Sequence, residues 1–204
     1  MKPQDKYTYR TLLKATEVVC YKDRRSKFFG YAFPLDSKNE AERLVKELRI
    51  EQKKASHLCY AWRWGIHEPN YRVNDDGEPP HSAGTPIYGQ IQASGLTNVL
   101  VAVARVYGGT KLGVGGLIQA YKTAARMALE SASITIKILT KKYILLFGYP
   151  SFEPVMQLIN QENITIVSQE LKLSCELCIA VPLERASEIR ERIMSIPGVT
   201  VKPV

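Results

Sequence analysis

Two stretches of the 204-residue chain bring ligand-binding or reactive residue types together. The first is YGGTKLGVGG, residues 107–116, in which Gly108, Gly109, Gly113, Gly115 and Gly116 make five glycines in ten positions. Glycine admits positive φ and lets backbone N–H groups come close to a ligand. The run leads from an apolar strand pattern into a helical one, so open N–H groups at the helix start could receive an anion. Phosphate motifs of defined spacing are absent. A Walker A loop needs Gly-Lys-Ser/Thr, whereas Lys111 follows Thr110 and precedes Leu112. A dinucleotide fingerprint would need glycine at Ile118. Two readings stay open: an anion or RNA-phosphate contact through Gly108, Gly109 and Lys111, or glycines that serve tight turns and helix–sheet packing.

The second stretch is DDGEPPHSAGTP, residues 75–86, where Asp75, Asp76 and Glu78 fall within four positions and His81 follows. Carboxylates so spaced are candidate metal ligands or acid–base groups. Asp-Gly and Pro-Pro are also turn formers, and the spacing matches no calcium loop. The set is therefore carried forward as a candidate surface loop. His57, Cys59 and Asp75 could be imagined as a nucleophilic set, but spacing orders no Cys/His or Ser/His/Asp arrangement. The lone histidines His57, His67 and His81 read as structural. No catalytic residue, metal site or cofactor is expected, and the chain reads as non-enzymatic.

Four cysteines are present, Cys20, Cys59, Cys175 and Cys178, the last two as C-x-x-C. Residues 172–181, KLSCELCIAV, alternate as a strand does, so positions three apart face opposite ways. No second pair exists to complete a zinc site. A structural role is expected for both.

The elements that must position these residues fall into two groups. In residues 1–140, HLCYAWRW (57–64) and NVLVAVARVY (98–107) read as strands, and SITIKIL (133–139) as another. A helix is expected from Ser37, with Glu40 completing a capping box, and a second near 116–131. On the latter, Lys122 and Arg126 share a face; with Arg105 and Lys111 they are candidates for a phosphate backbone, or for a solvated face or pairs with Asp75 and Asp76. Tyr107 and Tyr121 are candidates for base stacking or for the core. Residues 141–204 read as βαββαβ, the ferredoxin-like order, with Ser151 as an N-cap and Pro197-Gly198 ending the second helix. The expected fold class is α+β in two domains, 1–140 and 141–204.

Charge follows the same division. Lys and Arg number 28 against 20 Asp and Glu, for a net +8. Residues 1–140 hold 21 basic and 13 acidic residues, and residues 141–204 hold 7 of each. The excess favours an anionic partner for the first part, such as RNA or the ribosome, or a solubilising surface. No apolar run spans a membrane and the first residues lack a signal-peptide pattern, so a soluble cytoplasmic protein without a membrane partner is expected.

DDGEP, SAGTPI and the run from Arg105 to Tyr121, together with RRSKFFGYAFP (24–34) and HLCYAW (57–62), resemble the YigZ family with its IMPACT-type N-terminal domain. Pro80-His81 between DDGEP and SAG departs from that pattern. The resemblance implies a first domain like domain IV of elongation factor G and ribosomal-protein domains, with a left-handed βαβ crossover, and a second domain like domain V of that factor. It implies a role in translation or its regulation, since eukaryotic relatives compete for an activator of a kinase acting on an initiation factor. The partner would be RNA, the ribosome or a translation-related protein. The alternative is an enzyme or binding protein for a phosphorylated or acidic small molecule, with the glycine turn as anion site.

Overall fold

A computed structural model describes residues 6–204. The chain divides into two units, Tyr9–Lys137 and Ile138–Val204, the latter joined by the residues that end at Thr8. The first unit contains β1 (Thr8–Leu12), β2 (Val19–Asp23), β3 (Ser26–Pro34), α1 (Glu40–Glu51), β4 (His57–Trp64), β5 (Asn70–Asn74), α2 (Gly84–Ser94), β6 (Val99–Val106), α3 (Gly113–Glu130) and β7 (Ile134–Ile138). The second contains β8 (Thr140–Phe147), α4 (Phe152–Gln161), β9 (Thr165–Leu171), β10 (Cys175–Pro182), α5 (Ala186–Met194) and β11 (Thr200–Pro203). The fold is α+β in two units, as the sequence patterns imply. We propose that each unit is a separate folding domain.

In the first unit a five-stranded antiparallel sheet runs in the order β2-β3-β6-β4-β5, and β1 pairs with β7 in a sheet of two. Strand β6 lies at the centre with both faces covered, which explains why VLVAVARV is apolar without alternation. Val99, Val101 and Val103 pack with Ile87, Ile91, Leu117 and Tyr121 of α2 and α3. Leu100, Ala102 and Ala104 meet the α1 side, with Ala41 and Leu48. Burying the whole strand accounts for its β-branched content.

Several boundaries differ from expectation for local reasons. Helix α1 begins at Glu40, three residues after Ser37, and no side chain caps it. Glu40 instead accepts the N–H of Asp36 at 2.8 Å, which with nearby Arg43 holds its carboxyl below the usual range. Helix α2 begins inside the segment that Asp-Gly and Pro-Pro mark as turn, and its first turn carries Gly84 and Pro86. Ser151 precedes α4, but its hydroxyl donates to the Pro197 carbonyl at 2.7 Å rather than capping the helix.

The second unit has the sheet order β11-β8-β10-β9, antiparallel throughout. With βαββαβ connectivity this is the ferredoxin-like arrangement. Tyr143, Leu145, Phe147, Cys175, Leu177 and Ile179 form its core with Val155, Ile159, Ile189 and Ile193. One face is buried, so apolar residues alternate along β8 and β10. Cys175 is buried and pairs across from Phe147, whereas Cys178 is half-buried opposite Ile144. All four cysteines are free thiols.

Glu162 accepts bonds from Arg185, at 2.5 Å, and from Arg192. These two guanidinium groups hold its carboxyl below the usual carboxylate value of 4.5. A depressed folded-state value means the contribution is present above 4.5 and is lost as pH falls through the folded value. Urea unfolding should therefore show Glu162→Gln less stable than the parent at pH 7, with the difference shrinking towards pH 3.

Candidate functional site

Register places four connections at one end of the five-stranded sheet. His57, at the start of β4, pairs with Arg105 near the end of β6, and Phe28, near the start of β3, pairs with the same residue. The β2–β3 turn (24–25), the α1–β4 loop (52–56), the β5–α2 loop (75–83) and the β6–α3 loop (107–112) therefore converge. The Ser56 N–H donates to the Arg105 carbonyl at 2.8 Å, which ties the second of these to the end of β6.

A buried ion pair lies beneath them. Arg105 Nη1 donates to Glu78 Oε1 at 2.7 Å, and the Tyr121 hydroxyl donates to the same oxygen at 2.8 Å. Arg105, Glu78 and Tyr121 are 5%, 8% and 0% exposed. Burial raises the Tyr121 hydroxyl well above its usual range, and the nearby thiol and carboxylate add to this, so it stays a donor. The Arg105 guanidinium also lies between two rings, 5.6 Å from Phe28 and 5.3 Å from Tyr107. Its Nε has no hydrogen-bond partner among the described residues.

The other carboxylates of the 75–78 segment are also engaged. Asp75 accepts the N–H groups of Ala83 at 3.0 Å and Gly84 at 2.8 Å through Oδ1, and of His81 at 3.0 Å through Oδ2. It caps α2 from outside that helix. Asp76 pairs with Arg49 of α1 and accepts the Leu58 N–H at 2.6 Å. Close packing extends to the next turn: a Cβ on Gly84 would lie 2.7 Å from the Asn74 nitrogen. Asp75, Asp76 and Glu78 thus hold loop, strand and helices together. Glu78 is not on the surface, as a turn-rich segment would suggest, because it is the partner of Arg105. Among the described residues no cluster of three His, Cys, Asp or Glu could hold a metal ion.

Above the ion pair is a cleft of about 460 Å³. Ser56 and His57 contribute to one side, Glu78 and Pro79 to another, and Tyr107, Lys111, Leu112, Val114 and Leu117 to the wall formed by the glycine turn and α3. His57 Nδ1 donates to the Asp76 carbonyl at 2.7 Å, which fixes the tautomer and leaves Nε2 as an acceptor. Cys59 is buried below, and its Sγ–H donates to the Asp75 carbonyl at 3.0 Å. Burial pushes this thiol far above the usual range, which disfavours the thiolate.

The six candidate contact residues separate. Gly108, Gly109 and Lys111 lie in the loop beside the cleft, and Arg105 is beneath it, engaged by Glu78. Lys122 and Arg126 are exposed further along α3, roughly 14 and 20 Å from Gly113 by helical rise. Arg126 lies 3.8 Å from Glu130. Of the two tyrosines, Tyr121 is core and Tyr107 is 44% exposed. The loop instead abuts a hairpin tip that spacing did not single out. A Cβ on Gly108 would fall 2.1 Å from the Arg25 carbonyl, so only glycine permits this approach. Arg24 and Arg25 form the tip with φ of 41° and 68°.

The family model of the Impact N-terminal domain matches residues 24–129, which include all four converging loops. The chain belongs to the YigZ/IMPACT family. It is 28% identical over 185 residues to IMPACT family member YigZ of Escherichia coli K12, covering 89% of this chain and 91% of that one. It is 45% identical over 109 residues to the IMPACT family member in the pol 5′ region of Thermus thermophilus, 53% of this chain and 58% of that one. A crystal structure described as that of a hypothetical protein matches with a TM-score of 0.74 and 25% identity, over 97% of this chain and 98% of that one. In this IMPACT member the cleft is lined by His57 of HLCYAW, Glu78 and Pro79 of DDGEP and residues of the glycine run, and Arg25 of RRSKFFGYAFP abuts Gly108 of that run.

Removing one partner of a buried ion pair is severe, because the other charge stays buried. Glu78→Ala should destabilise the protein by about 3–5 kcal/mol, and Tyr121→Phe by about 1.5–3 kcal/mol. Glu78→Leu combined with Arg105→Met should recover much of the first loss, as read by urea denaturation. Gly108→Ala should lower the unfolding midpoint through its collision with Arg25, costing about 1–3 kcal/mol.

Proposed function

We propose that the chain is a non-enzymatic binding protein that acts in translation or its regulation, and that the Tyr9–Lys137 unit contacts RNA or the ribosome through the sheet end just described. One observation carries the reading. Lys22, Arg24, Arg25, Lys27, Lys53, Lys54 and Lys111 are exposed on or beside the converging loops. Among the described residues none of them has a carboxylate within ion-pair distance. The acidic residues of the 75–78 segment are already engaged, buried Glu78 by Arg105 and half-buried Asp75 and Asp76 by backbone N–H groups and Arg49. Lys22 and Lys27 are directly paired across β2 and β3, a like-charge opposition that a bound anion would relieve.

The hairpin tip adds to this. A two-residue turn with both φ values positive is ordinarily built from Asn-Gly or Asp-Gly. Placing Arg24 and Arg25 there forgoes stability, of order 1–2 kcal/mol per residue, and sets two cations at the apex. Strain of this kind collects at functional positions. The translational setting rests on membership of the family and on its resemblance to elongation-factor and ribosomal-protein domains. No helix among the described residues is long and apolar enough to cross a membrane.

A second reading is binding of a phosphorylated or acidic small molecule. It is favoured by the cleft itself, which joins Glu78 and Pro79 to the glycine turn through Lys111 and Gly113.

Arg24→Asn with Arg25→Gly separates a structural from a binding role. Thermal unfolding should shift upward, while affinity for unstructured RNA falls and the slope of log K against log salt becomes shallower by about 1.4. Lys122→Glu with Arg126→Glu should weaken binding less. Ribosome co-sedimentation and fluorescence anisotropy at two salt concentrations are the measurements. Unchanged binding in the hairpin variant, or no RNA binding by the parent protein, would overturn the reading.

A further inference from the structure

The cations around the sheet end would hold a phosphate backbone of any shape, but the cleft between them has a shape of its own. Its wall combines Tyr107 with Leu112, Val114 and Leu117, and its rim carries Lys111 and His57. Tyr107 is held from one side by the Arg105 guanidinium, 5.3 Å from the ring, and remains 44% exposed beside the cleft. That guanidinium is itself fixed by Glu78 at 2.7 Å and by Phe28, so the ring is a braced platform. Val114, at the start of α3, is 52% exposed, an apolar side chain left open on the same wall. Opposite, His57 is locked in the tautomer whose Nε2 accepts, because Nδ1 is spent on the Asp76 carbonyl at 2.7 Å.

We infer that this cleft takes an unpaired base of single-stranded RNA, stacked on Tyr107, while Lys111 and the hairpin arginines hold the phosphates on either side. The inference rests on the RNA-contact reading above and names the form of the RNA. A planar base suits an apolar wall with one aromatic platform, and its amino group suits the acceptor at His57 Nε2. A cleft of about 460 Å³ has room for one base and its sugar. A paired base cannot reach such a site, since both its faces are stacked and its edge is engaged. Charge complementarity decides against a purely apolar occupant: Lys111 lines the cleft, and Arg25 of the hairpin tip abuts Gly108 in the same turn.

The test uses the full chain and fluorescence anisotropy with an unstructured RNA strand, the duplex of the same sequence, the same strand with one abasic position, and adenosine monophosphate. The strand should bind at least tenfold more tightly than the duplex. Tyr107→Ala should lower strand affinity about fivefold to tenfold with an unchanged salt slope, as loss of one stacked base requires, and Tyr107→Phe should keep it. One abasic position should leave affinity nearly unchanged, because the other bases of the unstructured strand can still enter, whereas the same strand made abasic at every position should lose the same factor and be indifferent to Tyr107→Ala. Equal binding of strand and duplex, or no effect of Tyr107→Ala in a protein with parental circular dichroism, would overturn the inference. If the hairpin variant still weakens both RNAs in that case, the RNA-contact reading survives it. Monophosphate binding as tight as that of the strand would assign the cleft to free nucleotides and also overturn it. Absence of binding by every RNA would remove both readings together.

Discussion

The Glu78 carboxylate joins three elements that are distant in the chain. It receives the Arg105 guanidinium from the end of the central strand and the Tyr121 hydroxyl from the long helix, while its own loop caps α2 through Asp75. An arginine near the end of a buried strand cannot remain without a counter-charge. That requirement draws the 75–83 loop inward and sets one side of the cleft. The loop, in turn, supplies the Asp76 carbonyl that orients His57 and the Asp76 carboxylate that meets Arg49 of α1. Both helical layers of the first unit are tied to the sheet through this one segment.

The same pairing decides the electrostatics of the outer surface. Of the three carboxylates in the 75–78 segment, Glu78 is buried on Arg105, while Asp75 and Asp76 stay half-buried and are engaged by backbone N–H groups and by Arg49. Among the described residues, the basic side chains of the hairpin tip, the α1–β4 loop and the glycine turn have no carboxylate at ion-pair distance. The glycine turn contributes by being thin. Gly108 lets the hairpin tip approach its backbone, so its function here is packing that brings Arg24 and Arg25 beside the cleft. The packing reading of the glycine run describes this approach; a ligand contact there belongs to the proposal.

What could be read from the chain depended on how local the cause was. The strands β4, β6, β8 and β10 and the helices α3, α4 and α5 announce themselves, because apolar periodicity reports directly on which faces are buried. Helix α2 escaped, since its start is held by an aspartate nine residues earlier and its first turns carry glycine and proline. Ser37 and Ser151 look like caps by type, yet one precedes its helix by too much and the other bonds Pro197. The Arg24-Arg25 turn carries no Asn-Gly signal. A sign of the buried pair was present nonetheless: Arg105 interrupts an otherwise continuous apolar run, and a charge in such a strand demands a buried partner.

By itself the sequence determined the fold class, the neutral ferredoxin-like C-terminal third and the location of the charge excess, because these follow from residue type and periodicity. Its ordered motifs also determined the family. Only the tertiary structure decided which of the charged residues face solvent. Lys122, Arg126, Arg105 and Lys111 have similar standing as letters, but one is buried against Glu78, two lie along α3, and one stands at the cleft. Pairing between residues 27 positions apart depends on strand register and desolvation, and no local pattern encodes either.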